Sequence, residues 1–235
     1  MKDIKKVNSD LVEFWNSAIA LPEDYKKEVL EASDFEVKDI VPAEKLFNAV
    51  KKLGLCNKVL DYGCGSGWGA IVAASSGCND VLAVDLGSSI IDSTKFYIEV
   101  FKLQKKVKAQ VIDENWLKSV PSKTFDGLVC SNVLDVLPQE TSQEIVKELA
   151  RITTDNARIV IGLNFYMSAE MAVKRNIQLV DDKYLFVNDV LRLTSLSDEE
   201  WKNVFSPYFE VVKLDYFAWE GEPKETRRLF VLKKK

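Results

Sequence analysis

Residues 59–69 read Val-Leu-Asp-Tyr-Gly-Cys-Gly-Ser-Gly-Trp-Gly, and this stretch governs how the rest of the chain is read. An apolar run ends in an acid, Asp61, and Gly63, Gly65, Gly67 and Gly69 follow at alternate positions. A helical pattern starts directly after them. Glycine reaches backbone angles closed to other residues and puts no Cβ in a ligand's way. A strand passing through such a loop into a helix presents free N–H groups and the positive end of the helix dipole. That combination suits the anionic part of a nucleotide-like molecule.

Outward from the loop, strand-like and helical segments alternate. Residues 58–62 read as a buried strand, and a helix runs through 70–74 until Gly77 stops it. Residues 80–85 form the next strand, after which Ser88 or Ser89 caps a helix running to about Leu103. Strands follow at 106–112 and 125–131. Thr141 and Glu144 have the spacing of a capping box for a helix carrying Ile145, Leu149 and Ile152, and 158–163 is a fifth strand. This alternation predicts an α/β fold with a doubly wound, mostly parallel sheet covered on both faces.

After Leu163 the rhythm breaks. Residues 164–195 read as mixed and mostly helical. Ser197 and Glu200 form a second capping box for a short helix that Pro207 terminates. Residues 209–219 and 226–232 are strand-like, and the Glu-Gly-Glu-Pro-Lys-Glu between them is too short for a crossover helix, so they form a terminal antiparallel hairpin on a seven-stranded sheet. Residues 1–54 read as helical: Leu11, Phe14, Trp15 and Ala18 share a face, and Pro42 opens a helix carrying Leu46, Phe47, Val50 and Leu53. The expected organisation is a helical cap over 1–41 and a main domain over 42–235, with a substrate-side insertion at 164–195.

The chain has no histidine among its 235 residues. That removes Ser-His-Asp and Cys-His nucleophile systems, a His-ligated zinc and a His general base together. A formal charge of −4 argues against a nucleic-acid partner, which needs a basic surplus. The polar start and the lack of a long apolar run predict neither a signal peptide nor a membrane span. Cys56, Cys64, Cys78 and Cys130 lack metal-ligand spacing and read as free thiols of a cytoplasmic protein, with no metal expected.

Two nucleotide-binding patterns compete for the loop. In the dinucleotide pattern G-x-G-x-x-G/A the third small residue falls on Trp68 counted from Gly63, and on Ala70 counted from Gly65. The second register leaves an NAD(P)-dependent oxidoreductase as an alternative. A P-loop is absent. Residues 60–67, Leu-Asp-Tyr-Gly-Cys-Gly-Ser-Gly, resemble the first motif of class I S-adenosylmethionine-dependent methyltransferases, an acid followed by x-G-x-G-x-G. The likeness continues at Asp85, at Asp113 and at 125–134, Phe-Asp-Gly-Leu-Val-Cys-Ser-Asn-Val-Leu. The terminal hairpin matches the family's ending. The resemblance covers roughly 42–163 and 197–235.

This resemblance implies a Rossmann-like methyltransferase fold and a cofactor site made of Asp61, Gly63, Cys64, Gly65, Gly67, Asp85, Leu86, Asp113, Glu114 and Ser131. Asp85 would hold the ribose hydroxyls, and Asp113 or its neighbour Glu114 the adenine amino group. Residues 125–134 would lead to the reacting methyl. The cofactor would be S-adenosyl-L-methionine, the product S-adenosyl-L-homocysteine, and the reaction in-line displacement by an O, N or C atom of a small-molecule acceptor. Cys130 lacks the Pro-Cys pair of cytosine C5 methylation, and residues 131–134, Ser-Asn-Val-Leu, are not the Asn/Asp-Pro-Pro-Tyr/Phe site of amino-methylating nucleic-acid enzymes. Alignment alone can drive such a transfer, so a base is not required; Asp135, Tyr25 and Tyr166 are the candidates. Trp15, Tyr25, Phe165, Tyr166, Met167 and Tyr184 are either cap core or the roof of a substrate pocket. A non-catalytic cofactor-binding interaction protein is the remaining alternative, and the chain fits a monomer or a homodimer.

Overall fold

Valine, leucine and isoleucine at alternate positions of the central strands face opposite sides of one sheet, so each side acquires its own core. The computed structural model describes residues 4–235. Its elements, in order, are α1 (Ile4–Ala18), α2 (Glu23–Glu31), α3 (Glu44–Lys51), β1 (Val59–Tyr62), α4 (Trp68–Ser75), β2 (Val81–Asp85), α5 (Ser88–Val100), β3 (Val107–Val111), α6 (Trp116–Ser119), β4 (Phe125–Ser131) and α7 (Gln139–Ile152). They continue as β5 (Thr153–Leu163), α8 (Ala169–Lys174), β6 (Tyr184–Val187), β7 (Val190–Thr194), α9 (Asp198–Phe205), β8 (Phe209–Phe217) and β9 (Arg227–Lys234).

Seven strands form one sheet in the order β3-β2-β1-β4-β5-β9-β8. The first five are parallel, and β9 runs antiparallel to both β5 and β8. Leu60, Leu128 and Ile159 point to one face, where they meet Val146 and Leu149 of α7 and Trp201 and Phe205 of α9. Val59, Val129 and Val160 point to the other, against Ile71 of α4, Ile91 of α5 and Leu46 of α3. This is the doubly wound sheet and closing hairpin expected from the sequence. Among the described residues no helix is long and apolar enough to cross a membrane.

Four local expectations differ. Helix α5 takes Gly87 as its N-cap with no side-chain cap from Ser88 or Ser89; the Ser89 N–H is instead accepted at 2.8 Å by Asn16 Oδ1 of α1. Helix α7 starts after Pro138, so Thr141 and Glu144 lie inside it and form no capping box. A further helix, α2, sits between the two expected in 1–54, whose first three residues lie outside the described ones. Finally, 164–195 is not mostly helical: one short helix precedes the β6–β7 hairpin, whose turn residues Asn188 and Asp189 have φ of 50° and 64°. Two consecutive left-handed residues make the tight turn that matches strand twist. The Ser197–Glu200 capping box forms as expected.

The two segments without an assignment in sequence pack on one another. Leu11 and Trp15 of α1 meet Tyr184, Phe186, Val190 and Leu191 of the β6–β7 hairpin. The Arg192 guanidinium lies 4.0 Å from the Phe14 ring centre and 5.3 Å from that of Trp15.

Candidate functional site

The chain order of the sheet reverses between β1 and β4, and open α/β sheets bind ligands at such a point, beyond the carboxyl ends of the strands. The glycine loop leaves β1 there. Gly63, Gly65 and Gly67 all have positive φ, of 66°, 55° and 82°. A Cβ at Gly63 would fall 2.3 Å from Val133 Cγ2, and one at Gly67 2.5 Å from Thr94 Cγ2. At Gly65 the nearest atom is Ile19 Cδ1, 3.7 Å away. Gly63 and Gly67 are thus glycine for packing as well as conformation, whereas Gly65 leaves the backbone open to a ligand. Buried Thr94 of α5 braces the loop by donating its hydroxyl to Gly65 O at 2.8 Å. It also lies 3.5 Å from the buried Cys64 Sγ.

The loop amides are mostly engaged within the protein. Gly63 and Cys64 both donate to Val84 O, at 2.9 and 3.0 Å, and Gly67 donates to Cys64 O at 2.8 Å. Gly65 donates to Asp85 Oδ2 at 3.2 Å. A cradle of free amides for an anion is therefore not what forms; the β1–β2 pairing continues into the loop and takes up its donors. Asp61 is enclosed and accepts the Ala70 N–H at 2.8 Å, holding the first turn of α4 against β1. Burial pushes its pKa up to about 8, the Ala70 hydrogen bond opposes this, and the Asp85 charge adds to it. Gly69 must be glycine here, since a Cβ would lie 2.8 Å from Asp61 Oδ2.

Asp85, at the end of β2, places its second oxygen 3.3 Å from the Gly87 N–H. Burial raises its pKa too, against the hydrogen bonds from Gly65 and Gly87. The Asp85 carboxylate, held by the Gly65 and Gly87 amides, repels a phosphate. It suits a ligand bringing hydroxyl protons and positive charge.

The remaining sequence candidates spread along the same edge of the sheet. Leu86 follows Asp85 and is 36% exposed. Asp113 and Glu114 stand exposed beyond β3; the Ile112 N–H donates to Asp85 O at 2.9 Å, tying this segment to β2. Ser131 ends β4 on the other side of the loop and donates to Asn132 Oδ1 at 3.1 Å. Asn132 has φ of 57°, a conformation that Asn tolerates better than most residues. Its Nδ2 donates to Asn164 Oδ1 at 2.9 Å, and that oxygen also accepts from Arg227.

The three candidates for a base are not brought together. Tyr25 accepts the Tyr97 hydroxyl at 3.2 Å on the flank of α5. Tyr166 is 40% exposed beyond β5. Asp135 is fully enclosed and accepts the Asn164 N–H, a setting for holding backbone rather than for meeting a diffusing acceptor. Asn16, Ser93, Thr94, Asn164 and Arg227 were not legible as site residues. Each acts across at least 29 positions of sequence, and none sits in a motif.

Residues 59–156 match the sequence family described as "Methyltransferase domain". Over this stretch, less than half of its length, the chain is similar to a methyltransferase domain. Among solved structures, the domain and its surroundings are similar to the Burkholderia thailandensis 1,6-didemethyltoxoflavin-N1-methyltransferase, with a TM-score of 0.70 and 13% identity over 100% of this chain and 91% of that one. They are also similar to the magnesium protoporphyrin IX methyltransferase of Synechocystis PCC 6803, with a TM-score of 0.67 and 15% identity over 97% of this chain and 100% of that one. Both were crystallised with S-adenosylhomocysteine; identities this low speak to fold. In sequence, the chain is 38% identical over 76 residues to a ribosomal protein L11 methyltransferase of Cupriavidus pinatubonensis, covering 32% of this chain. The chain spans about a quarter, 23%, of the length of that relative.

Proposed function

We propose that the methyltransferase domain transfers a methyl group from S-adenosylmethionine to a small-molecule acceptor. One observation carries the cofactor reading: Asp85 lies in the cleft between Gly65 and Gly87 with its carboxylate oriented by their two amides, beside a loop that offers few free donors to a phosphate. An oriented carboxylate accepts both protons of a ribose diol. The Asp85 carboxylate favours a ligand carrying ammonium and sulfonium charge. A nicotinamide dinucleotide brings a pyrophosphate instead, and the engaged amides and the Asp85 carboxylate both oppose it.

Within this reading Leu86 gives the adenine an apolar surface, and Asp113 or Glu114 accepts from its amino group. Ser131 and Asn132 stand at the methyl end. When bound, S-adenosylmethionine supplies a methyl group already activated on sulfur, which is displaced in line by a lone pair of the acceptor. The chain's part is alignment, which contributes on the order of 7–11 kcal/mol in well-oriented reactions. A dedicated base is not needed, and enclosed Asp135 serves to position Asn164.

The acceptor reading rests on the roof. Helix α1 and the β6–β7 hairpin pack together over this edge of the sheet, with aromatic side chains between them, and an aromatic roof suits a small apolar or planar molecule. The 1–41 cap and the 164–195 insertion then act as one substrate-side unit. The two structural relatives are named for small-molecule acceptors, the sequence relative for a ribosomal protein. Four free cysteines support a cytoplasmic setting.

The acceptor class is tested by incubating the protein and methyl-labelled S-adenosylmethionine with two fractions of a cell extract. One holds metabolites below the size of a peptide, the other ribosomes and protein. Label should move into the low-mass fraction; label only on ribosomal or other protein overturns the small-molecule reading.

A further inference from the structure

The last turn of α1 stands over both residues that hold Asp85. Gly65 and Gly87 each donate a backbone N–H to one Asp85 oxygen, at 3.2 and 3.3 Å. A Cβ on Gly87 would lie 2.7 Å from Asn16 Oδ1, and one on Gly65 would lie 3.7 Å from Ile19 Cδ1. Asn16 of α1 thus lies against Gly87, and Ile19 just after α1 lies over Gly65, the two residues whose amides hold Asp85.

The contact is anchored at several points. Asn16 Oδ1 accepts the Ser89 N–H at 2.8 Å. Just beyond α1, Ser93 Oγ donates to Ile19 O and accepts the Leu21 N–H, both at 3.2 Å. These bonds seat the end of α1 on the first two turns of α5, directly after the strand that delivers Asp85.

The identity of the Asn16 atoms follows from its partner. A backbone N–H only donates, so the atom facing Ser89 is the side-chain oxygen, and the amide nitrogen with its two protons turns away from that bond. A ribose hydroxyl that gives its proton to Asp85 has lone pairs left over, and Asp85 as a carboxylate offers them nothing. A side-chain amide beside it completes the set.

We propose that Asn16 is a binding residue of the cofactor site: its Nδ2 donates to a ribose hydroxyl whose proton goes to Asp85, so that α1 is one wall of the pocket. The inference rests on the cofactor reading above. It assigns to the N-terminal segment a contact with the donor, separate from any contact with the acceptor.

The test is calorimetric titration of the full chain with S-adenosylhomocysteine and with its 2′,3′-dideoxy analogue. Asn16→Ala should weaken S-adenosylhomocysteine by about three- to tenfold, the scale of one neutral hydrogen bond, and leave the dideoxy analogue within about twofold of wild type. Asn16→Asp keeps an oxygen for the Ser89 amide and has no donor at neutral pH. It should show the same hydroxyl-dependent loss with the α5 cap intact, and it decides the matter if Asn16→Ala does not fold. Equal losses for both ligands, or no loss for S-adenosylhomocysteine, overturn the role of Asn16 while leaving the cofactor reading in place. A wild-type chain that does not bind S-adenosylhomocysteine overturns both.

Discussion

Arg228→Ala should lower the stability of the fold by about 3–5 kcal/mol, the scale for removing one partner of a buried ion pair. Arg228 is the second residue of β9 and is 1% exposed. Its Nε donates to Asn164 O at 2.9 Å and its Nη1 to Leu196 O at 2.5 Å, with Asp198 Oδ1 3.5 Å from the latter nitrogen. Asp135 holds the other side of the same residue by accepting the Asn164 N–H. Arg228 Nη2 and Asp135 Oδ1 are both buried without a hydrogen-bond partner among the described residues. Burial drives the Asp135 pKa up and that of Arg228 down, and in each case the charge of the other opposes the shift. Removing Arg228 leaves two buried carbonyls and an acid without compensation. In a domain of this size 1 kcal/mol corresponds to roughly 2–4 °C, so the thermal midpoint should drop by about 6–20 °C. Arg228→Met combined with Asp135→Asn should recover part of the loss, because the buried acid is then neutral while the Asn164 and Leu196 carbonyls stay unpaired. A loss below about 1 kcal/mol for Arg228→Ala in chemical denaturation contradicts this role.

The second large effect is a pH dependence set by Asp61. Its pKa stands near 8 in the folded chain against an ordinary value of 3.8. Over that window the folded state binds a proton that the unfolded state has released. Unfolding free energy therefore falls as pH rises from about 4 to about 8 and levels off above, by on the order of 5 kcal/mol for this group. Asp85 and Asp135, also shifted upward by burial, act with the same sign. Asp61→Asn keeps an oxygen for the Ala70 amide and removes one titrating group. Urea denaturation of the ligand-free protein between pH 5 and 8 should show a clearly flatter profile for the variant. Parallel profiles for variant and wild type contradict the buried, protonated state of Asp61.

How much was legible in sequence follows from how local each determinant is. The glycine loop, the acids ending β1 and β2 and the Ser197–Glu200 box are contiguous signals, and the doubly wound sheet and closing hairpin follow from strand periodicity and one short connection. Features set by distant partners were not legible. Asn16 caps a helix 73 positions away, so a search of the serines next to α5 finds no cap. Thr141 and Glu144 have capping-box spacing, but Pro138 begins the helix one turn earlier. The β6–β7 hairpin turns on Asn188-Asp189 without a glycine, which hides it among helix-compatible residues. The loop amides illustrate a different limit: glycine spacing announces conformation, whereas Val84 O decides where the donors point. For the same reason Asp135 reads as a candidate base in sequence but is enclosed behind Asn164 and Arg228 in the fold.

The central claim is that the cleft over Asp85 takes S-adenosylmethionine and its product, and titration calorimetry tests it most directly. S-adenosylhomocysteine and NADH are titrated into the wild-type chain and into Asp85→Ala. The wild type should bind S-adenosylhomocysteine and not NADH, and Asp85→Ala should weaken that binding by about 1.5–3 kcal/mol, the scale for hydrogen bonds to a charged group. Binding of NADH without S-adenosylhomocysteine, or an affinity for S-adenosylhomocysteine untouched by Asp85→Ala, contradicts it.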